Sequence, residues 1–294
     1  MGASPLVDCQ WLYGQLQDPG LVVVDTRFAL ADPQLGRRQY EAGHIPGAVY
    51  LDLDRDLSGP VREHGGRHPL PDWTAFAERL GEVGIGTGIG SEPPTQVVIY
   101  DDSRFAFAAR LWWMLRFLGH DRVAILDGGI RAWEGAGFPL ETEVVVKEPR
   151  SFVPVPQVDW IVDVEGVKRR QGRSGMLSGM PSGTLLIDSR SPERYRGEVE
   201  PIDPIAGSIP GAVNAFWQRV TTEDGFLMAQ EELAERWSPL KGTDEAVFYC
   251  GSGVTACVNL FALATLGYPM PKLYPGGWSD WCSYLDLPSA EEEP

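Results

Sequence analysis

The chain has 294 residues, of which 43% are hydrophobic and 22% are charged, and 41 acidic against 25 basic residues give a formal net charge of −16. This length and composition are typical of a globular protein with two domains, each with its own core. So acidic a surface repels polyanions, which excludes nucleic acid and anionic membranes as expected partners.

The cysteines and histidines are few and scattered, with four of each type. The cysteines stand at positions 9, 250, 257 and 282, which fits neither a disulfide framework nor a C-x-x-C pair, and the sequence predicts no metal site. The amino terminus has no basic segment followed by an apolar one, and no apolar run approaches the ~20 residues of a membrane span. We therefore expect a reducing cytoplasmic location, where a reactive thiol stays available.

The first half of the chain alternates short apolar strands with helices. Residues 21–25 and 96–100 are predicted as strands, and residues 104–118 as a long helix after the second of them. Between them, the segment 58–71 is rich in turn-forming residues and contains His64 and His68. This segment is either a solvated surface loop or a segment that reaches across to a neighbouring site.

The second half repeats the first, which predicts the architecture. Four pairs of segments match in the same order: 21–27 with 185–190, 43–49 with 207–213, 96–101 with 245–250, and 126–133 with 274–281. We predict an α/β protein of two tandem domains, each a parallel sheet flanked by helices. The predicted boundaries are 1–143 and 159–288 for the domains, 144–158 for a proline-stiffened linker, and 289–294 for an acidic tail.

Cys250 is the candidate nucleophile. It follows the predicted strand 246–249 and precedes a Gly-Ser-Gly loop and a helix predicted over 254–266. Two glycines and a helix N-terminus can turn several backbone N–H groups towards the sulfur, which favours the thiolate. An isolated cysteine is more often a packing residue, as we expect for Cys9, Cys257 and Cys282, but the glycines serve no packing role. The first half has Asp101 at the matching position and is predicted to be inactive.

These motifs resemble the tandem-domain rhodanese-type sulfurtransferases over residues 6–287. The matching features are the paired halves, Asp-x-Arg after a strand, Gly-His-Ile-Pro-Gly at residues 43–47, a terminal Gly-Gly-x-x-x-Trp, and Cys-Gly-Ser-Gly-Val-Thr at residues 250–255. In that family the second domain carries a cysteine that becomes a persulfide. The resemblance implies that Gly251, Gly253, Val254 and Thr255 form the loop that holds it, without a metal or organic cofactor.

Within the family, this cysteine loop is similar to that of 3-mercaptopyruvate sulfurtransferases, whereas thiosulfate sulfurtransferases more often have basic residues after the cysteine. The resemblance implies a relay of Ser252, His68 and Asp54 that protonates the leaving enolate. It also implies that Arg194 binds the substrate anion, although a surface salt bridge is the alternative role. Two features depart from the family: residues 198–204 contain no second arginine, and Ser208 replaces a histidine.

The predicted function is therefore transfer of sulfur from 3-mercaptopyruvate or thiosulfate through Cys250 to cyanide, a small thiol or a protein thiol. A thiosulfate-specific enzyme is the first alternative. A noncatalytic sulfur-binding module is another, although such modules usually lack the cysteine. A cysteine phosphatase is the third, but it needs an arginine near the end of the loop, and residues 253–256 contain none.

Overall fold

The computed structural model describes residues 4–88, 93–170, 175–177 and 180–285. The predicted acidic tail 289–294 lies outside the described residues. The chain folds into two α/β units, each built on its own parallel sheet. We call them the N-terminal unit and the C-terminal unit.

The N-terminal unit has five parallel strands in the order β1-β5-β4-β2-β3. These strands are β1 (Leu6–Val7), β2 (Leu21–Asp25), β3 (Val49–Tyr50), β4 (Gln96–Tyr100) and β5 (Val123–Leu126). The helices of this unit are α1 (Cys9–Gln15), α2 (Leu35–Ala42), α3 (Trp73–Glu82), α4 (Ala108–Phe117) and α5 (Gly129–Gly135). Every residue of β2 is buried, because β-branched side chains fill both faces of a sheet that helices cover on each side.

The C-terminal unit repeats this plan with four strands in its parallel sheet. Its helices are α6 (Val164–Arg170), α7 (Pro192–Tyr195), α8 (Gln230–Arg236), α9 (Ala256–Thr265) and α10 (Gly277–Cys282), with 3-10 turns at Val158–Trp160, Trp217–Val220 and Ser238–Leu240. The strands are β6 (Gly175–Leu177), β7 (Met180–Ser182), β8 (Thr184–Asp188), β9 (Val213–Asn214), β10 (Glu245–Tyr249) and β11 (Lys272–Leu273). The parallel sheet runs β11-β10-β8-β9, and β6 and β7 form a separate antiparallel pair.

Matching strands of the two units end at the same level. Asp25 of β2 pairs with Tyr100 of β4, and Asp188 of β8 pairs with Tyr249 of β10. Each aspartate holds the arginine two residues later in a buried ion pair, at 2.6 Å in the N-terminal unit and 2.7 Å in the C-terminal unit. The predicted fold of two tandem parallel sheets is thereby confirmed, and Asp101 and Cys250 follow equivalent strands.

Asp101 is surrounded by backbone donors. Its carboxylate accepts hydrogen bonds from the N–H groups of Ser103 at 2.9 Å, Phe105 at 3.1 Å, Phe107 at 2.9 Å and Ala108 at 3.0 Å. To make this wrapping loop, the backbone of Arg104 and Phe105 takes positive φ angles of 59° and 68°. Helix α4 therefore begins at Ala108, and the prediction of a helix from residue 104 is wrong at its start.

Helices α4 and α9 pack against each other and join the two units. The ring of Trp112 meets Phe261 edge-on with centroids 5.1 Å apart, and Phe105 meets the same ring at 5.7 Å. Arg104 adds polar contacts across the junction, donating to the Thr221 hydroxyl at 2.8 Å and to the Thr221 carbonyl at 2.7 Å. These contacts place the two sheets on either side of the space between the units.

The described helices are all too short or too polar to span a bilayer.

Candidate active site

Cys250 lies at the carboxyl end of the C-terminal sheet, directly after β10. Open α/β sheets bind ligands at this edge. The residue is 2% exposed and lines a cleft of about 560 Å³ between the two units. Residues of both units line the cleft, including Leu53, Arg67, His68, Phe107, Arg194, Trp217, Ser252, Val254 and Thr255. The thiol is therefore shielded from bulk water but faces a space that can hold a small molecule.

Two glycines let the loop after Cys250 approach its neighbours closely. Gly253 has a φ of +70°, and a Cβ at this position would lie 2.2 Å from the Pro275 carbonyl oxygen. A Cβ on Gly251 would lie 2.9 Å from Nη2 of Arg67. A larger residue at either position would displace the loop or the arginine. The glycines thus allow backbone donors and a guanidinium to gather beside the sulfur.

The backbone of this loop has free donors. In the part of the chain that the structure describes, none of the N–H groups of residues 251–255 reaches an acceptor. In the N-terminal unit, the Asp101 carboxylate accepts from N–H groups of the loop that follows β4 and of the first residue of α4. The same position of the fold therefore binds a built-in anion in one unit and offers its donors to an anion in the other.

Ser252, His68 and Asp54 form a hydrogen-bonded series across the cleft. Nδ1 of His68 lies 2.7 Å from the Ser252 hydroxyl oxygen, and Nε2 lies 3.3 Å from an oxygen of Asp54. In one neutral tautomer the ring donates from Nε2 to the carboxylate and accepts at Nδ1 from the serine hydroxyl, and in the other it donates from Nδ1 to the serine oxygen. The segment 58–71 therefore reaches the cysteine loop, which decides between the two possibilities that its composition left open. Asp54 has a side chain that is 45% exposed and connects the series to solvent.

His68 is held in its neutral form. Burial, together with the nearby positive charges of Arg110 and Arg67, lowers its pKa to about 4. The ring therefore stays uncharged at neutral pH. An uncharged imidazole can accept a proton at one nitrogen while it donates from the other, as a relay requires.

The low pKa of His68 predicts a loss of stability in mild acid. Between pH 6.5 and pH 4 the unfolded chain binds a proton that folded His68 does not. The stabilisation from neutral His68 is thus complete above pH 6.5 and is lost as the pH falls. From about pH 7 to about pH 4.5, we expect the wild-type protein to lose about 2 kcal/mol more free energy of unfolding than His68→Gln. Urea titrations across this range measure the difference, and parallel curves for both proteins would contradict it.

Two arginines stand beside the cysteine loop. Arg194, which follows β8 on α7, and Arg67, from the segment that carries His68, both line the cleft. They come from different units and lie on the same side of Gly251, because a Cβ there would contact both guanidinium groups. Arg67 was not among the predicted site residues, although its position next to the predicted relay histidine was a signal for it.

Residues 198–204, the segment that lacks the family's second arginine, supply two carboxylates that bind these arginines. Glu200 accepts from Arg194 at 2.7 Å, and Asp203 accepts from the same guanidinium at 3.2 Å. Asp203 also accepts from Arg67. Although burial alone would raise it, hydrogen bonds from Arg194 hold the pKa of Glu200 below its usual value. Arg194 is therefore fixed by acidic partners and turned towards the cleft.

Arg110 of α4 underlies the site from the other unit. It is fully buried, and its guanidinium donates to the carbonyl oxygens of Gly253 at 3.1 Å and His68 at 3.2 Å. One side chain thus links the cysteine loop to the segment that contains His68. Arg110 was not among the predicted site residues either, because an arginine inside an apolar helical run has no distinguishing motif.

Both units of the chain resemble known proteins. A family model described as "Rhodanese-like domain" matches residues 8–136 and 170–284. "Probable 3-mercaptopyruvate sulfurtransferase" of Pseudomonas aeruginosa is 45% identical over 286 residues, covering 96% of each chain. "Putative thiosulfate sulfurtransferase SseB" of Mycobacterium tuberculosis is 37% identical over 283 residues, covering 95% of this chain and 94% of that protein. The crystal structure of SseA from Escherichia coli superposes with a TM-score of 0.78 at 31% identity, over 94% of this chain and 100% of that one.

These matches span both units, and together with the site they define an enzyme with two rhodanese-like domains, in which Cys250 of the second stands where the first has Asp101. The chain belongs to the rhodanese family. The predicted family, the predicted fold and the predicted sulfurtransferase class are confirmed, because the full-length relatives carry sulfurtransferase names.

Proposed function

We propose that this chain is a 3-mercaptopyruvate sulfurtransferase that carries the transferred sulfur as a persulfide on Cys250. The observation that carries the proposal is the series of Ser252, His68 and Asp54 beside the thiol. A proton relay suits a donor that loses sulfur by breaking a C–S bond, because the carbon left behind must be protonated. Relatives from Pseudomonas aeruginosa and Escherichia coli named as 3-mercaptopyruvate sulfurtransferases support it.

In the first step, the Cys250 thiolate attacks the sulfur of 3-mercaptopyruvate. A new S–S bond forms while the C–S bond breaks, and the electron pair of the broken bond passes to the pyruvate enolate. The Ser252 hydroxyl gives its proton to the enolate and takes one from Nδ1 of neutral His68, in the tautomer that carries its proton there, while Nε2 takes a replacement proton that enters from solvent at Asp54. The products are pyruvate and the Cys250 persulfide, so the step needs no external oxidant or reductant.

The surroundings of the sulfur suit an anion throughout this step. Free N–H groups of residues 251–255 can hold the thiolate and then the persulfide, as the matching donors hold the Asp101 carboxylate in the N-terminal unit. Arg194 and Arg67 face the same space and can bind the carboxylate of the donor. The substrate would therefore lie with its carboxylate towards the arginines and its sulfur towards Cys250.

In the second step, a nucleophile attacks the outer sulfur of the persulfide and restores the thiolate. Cyanide, a small thiol and a protein thiol are the acceptors that this chemistry permits. The cleft of about 560 Å³ leaves room for an acceptor larger than the donor. A reducing cytoplasm would keep Cys250 reduced between turnovers, and we infer this location for the enzyme.

The two domains have different roles in this proposal. Residues 159–288 form the catalytic domain with Cys250, Ser252 and Arg194, and residues 1–143 form a domain without a nucleophile. The linker would be residues 144–158. The first domain still contributes to the reaction, because His68, Asp54 and Arg67 belong to it.

Thiosulfate is the second candidate donor. Two arginines in the wall of the cleft favour an anionic substrate, and a relative from Mycobacterium tuberculosis is named as a putative thiosulfate sulfurtransferase. Thiosulfate gives up its outer sulfur with sulfite as the leaving group. Sulfite departs without needing a proton, so the Ser252 relay would have no task in that reaction.

A comparison of the two donors tests the proposal. We expect kcat/KM with 3-mercaptopyruvate to exceed that with thiosulfate by at least about tenfold, because proton delivery helps only the former. Thiocyanate formation measures both reactions with cyanide as acceptor, and pyruvate release should match thiocyanate formation mole for mole. A higher kcat/KM with thiosulfate would replace the proposal by the second candidate.

A further inference from the structure

Asp203 joins arginines from both units behind the reactive cysteine. Its carboxylate accepts from Arg194 at 3.2 Å and, with its other oxygen, from Arg67. The Asp203 side chain is 2% exposed, and the Arg67 side chain is 26% exposed. A buried carboxylate between two guanidinium groups keeps both heads in place and cancels one of their charges.

The arginines beside Cys250 form one wall of the cleft, and their positive charges are matched by an equal number of carboxylates. Three guanidinium groups meet three carboxylates, with the pairs Arg190–Asp188, Arg190–Glu200, Arg194–Glu200, Arg194–Asp203 and Arg67–Asp203. The far side of the cleft also carries two basic and two acidic residues, Arg104, Arg131, Asp102 and Glu223. The charges of the residues named here therefore cancel, and the wall offers directed N–H donors, while the buried Arg110 beneath the cysteine loop adds a positive charge that this balance does not include.

This balance bears on the choice of donor. Thiosulfate is a dianion at neutral pH, whereas 3-mercaptopyruvate carries one carboxylate charge. A net positive field stabilises each negative charge of a bound ligand. A wall without net charge gives no such stabilisation to the second charge of a dianion. A neutral wall with fixed donors thus favours the monoanion in relative terms.

We propose that Asp203 is a specificity-determining residue, whose carboxylate bridges Arg67 and Arg194, cancels one positive charge behind Cys250, and so selects a monoanionic sulfur donor over a dianionic one. This inference rests on the proposed function, since it explains the preference for 3-mercaptopyruvate at the same site. Asp203 acts through the two arginines and does not itself touch the donor.

The test changes the charge of the wall in both directions. The measured quantity is the ratio of kcat/KM with thiosulfate to kcat/KM with 3-mercaptopyruvate. Asp203→Asn removes one negative charge and raises the net charge of the wall by one, so we expect it to raise this ratio about tenfold. Arg67→Gln removes one positive charge and should lower the ratio about tenfold. The double variant restores the original charge and should return the ratio to within about threefold of the wild-type value.

Glu198→Gln is the matched control, since Glu198 lies in the same segment but pairs with the exposed Arg196. Its ratio should stay within about twofold of wild type. Equal losses with both donors in Asp203→Asn, or shifts in the same direction for Asp203→Asn and Arg67→Gln, would mean that Asp203 only supports the fold and would overturn the inference. If Asp203→Asn does not fold, Arg67→Gln and the double variant decide the question alone.

A second readout separates this inference from the proposed function. Sulfate and pyruvate serve as dianionic and monoanionic probes that protect Cys250 from alkylation by iodoacetamide, with no turnover involved. Asp203→Asn should strengthen protection by sulfate about tenfold relative to protection by pyruvate, and the difference should shrink at high salt. An unchanged relative protection overturns the inference. Absent sulfur transfer from both donors would instead overturn the proposed function.

Discussion

Cys250→Ser is expected to lower sulfur transfer from both donors by about 10⁴-fold or more. A serine hydroxyl stays protonated at neutral pH and cannot form a persulfide, so neither step has a carrier. The substitution removes little volume from a residue that is 2% exposed, so the fold should persist. Cyanolysis with 3-mercaptopyruvate and with thiosulfate measures the rates. Intact-protein mass spectrometry after incubation with the donor should show one added sulfur atom in the wild-type protein and none in the variant.

Two other cysteines supply controls for this experiment. Cys9 and Cys282 are free thiols away from the cleft wall, and burial raises the pKa of each to about 11. A thiol with so high a pKa is a poor nucleophile at neutral pH. Cys9→Ser and Cys282→Ser should therefore keep the added sulfur and the rates within about twofold of wild type. Retention of the added sulfur in Cys250→Ser would end the proposed mechanism.

Ser252→Ala is expected to lower kcat with 3-mercaptopyruvate by about 10²- to 10³-fold, and kcat with thiosulfate by less than about threefold. The loss is selective because only the enolate needs a proton. His68→Gln should show the same selectivity, since the ring passes the proton between Ser252 and Asp54. Steady-state rates of thiocyanate formation with each donor measure the difference.

His64→Gln is the control for the relay, because His64 lies in the same segment, stacked on Tyr284 and 2.8 Å from the Ser283 hydroxyl. Neither donor should be affected by more than about twofold. Comparable losses with both donors in Ser252→Ala would show that the hydroxyl shapes the loop and delivers no proton. The comparison thus distinguishes a chemical role from a structural one.

Features that depend on local pattern could be predicted from the sequence. Strand β2 has a run of β-branched residues, and its match with β8 identified the repeat. The position of Cys250 after β10 followed from the same match, since a strand, a glycine loop and a helix succeed one another without interruption. Local propensity and an internal repeat therefore suffice to place Cys250 at the edge of a parallel sheet.

Features that depend on contacts distant in sequence could not be predicted in the same way. The contact between His68 and Ser252 joins residues 184 positions apart and depends on how the two units pack. Arg67 and Asp203 meet across 136 positions, and no periodicity of either segment reveals the pair. The start of α4 was misplaced because the Asp101 carboxylate competes for the N–H groups of its first predicted turn.

The carboxylate of Asp101 has a consequence for how much sulfur one molecule can carry. Its ring of four N–H donors is already filled by a group that belongs to the chain and cannot leave. The N-terminal unit thus has the equivalent loop but no room for a persulfide. A protein fully loaded with sulfur would carry one extra sulfur atom per chain, despite the duplicated fold.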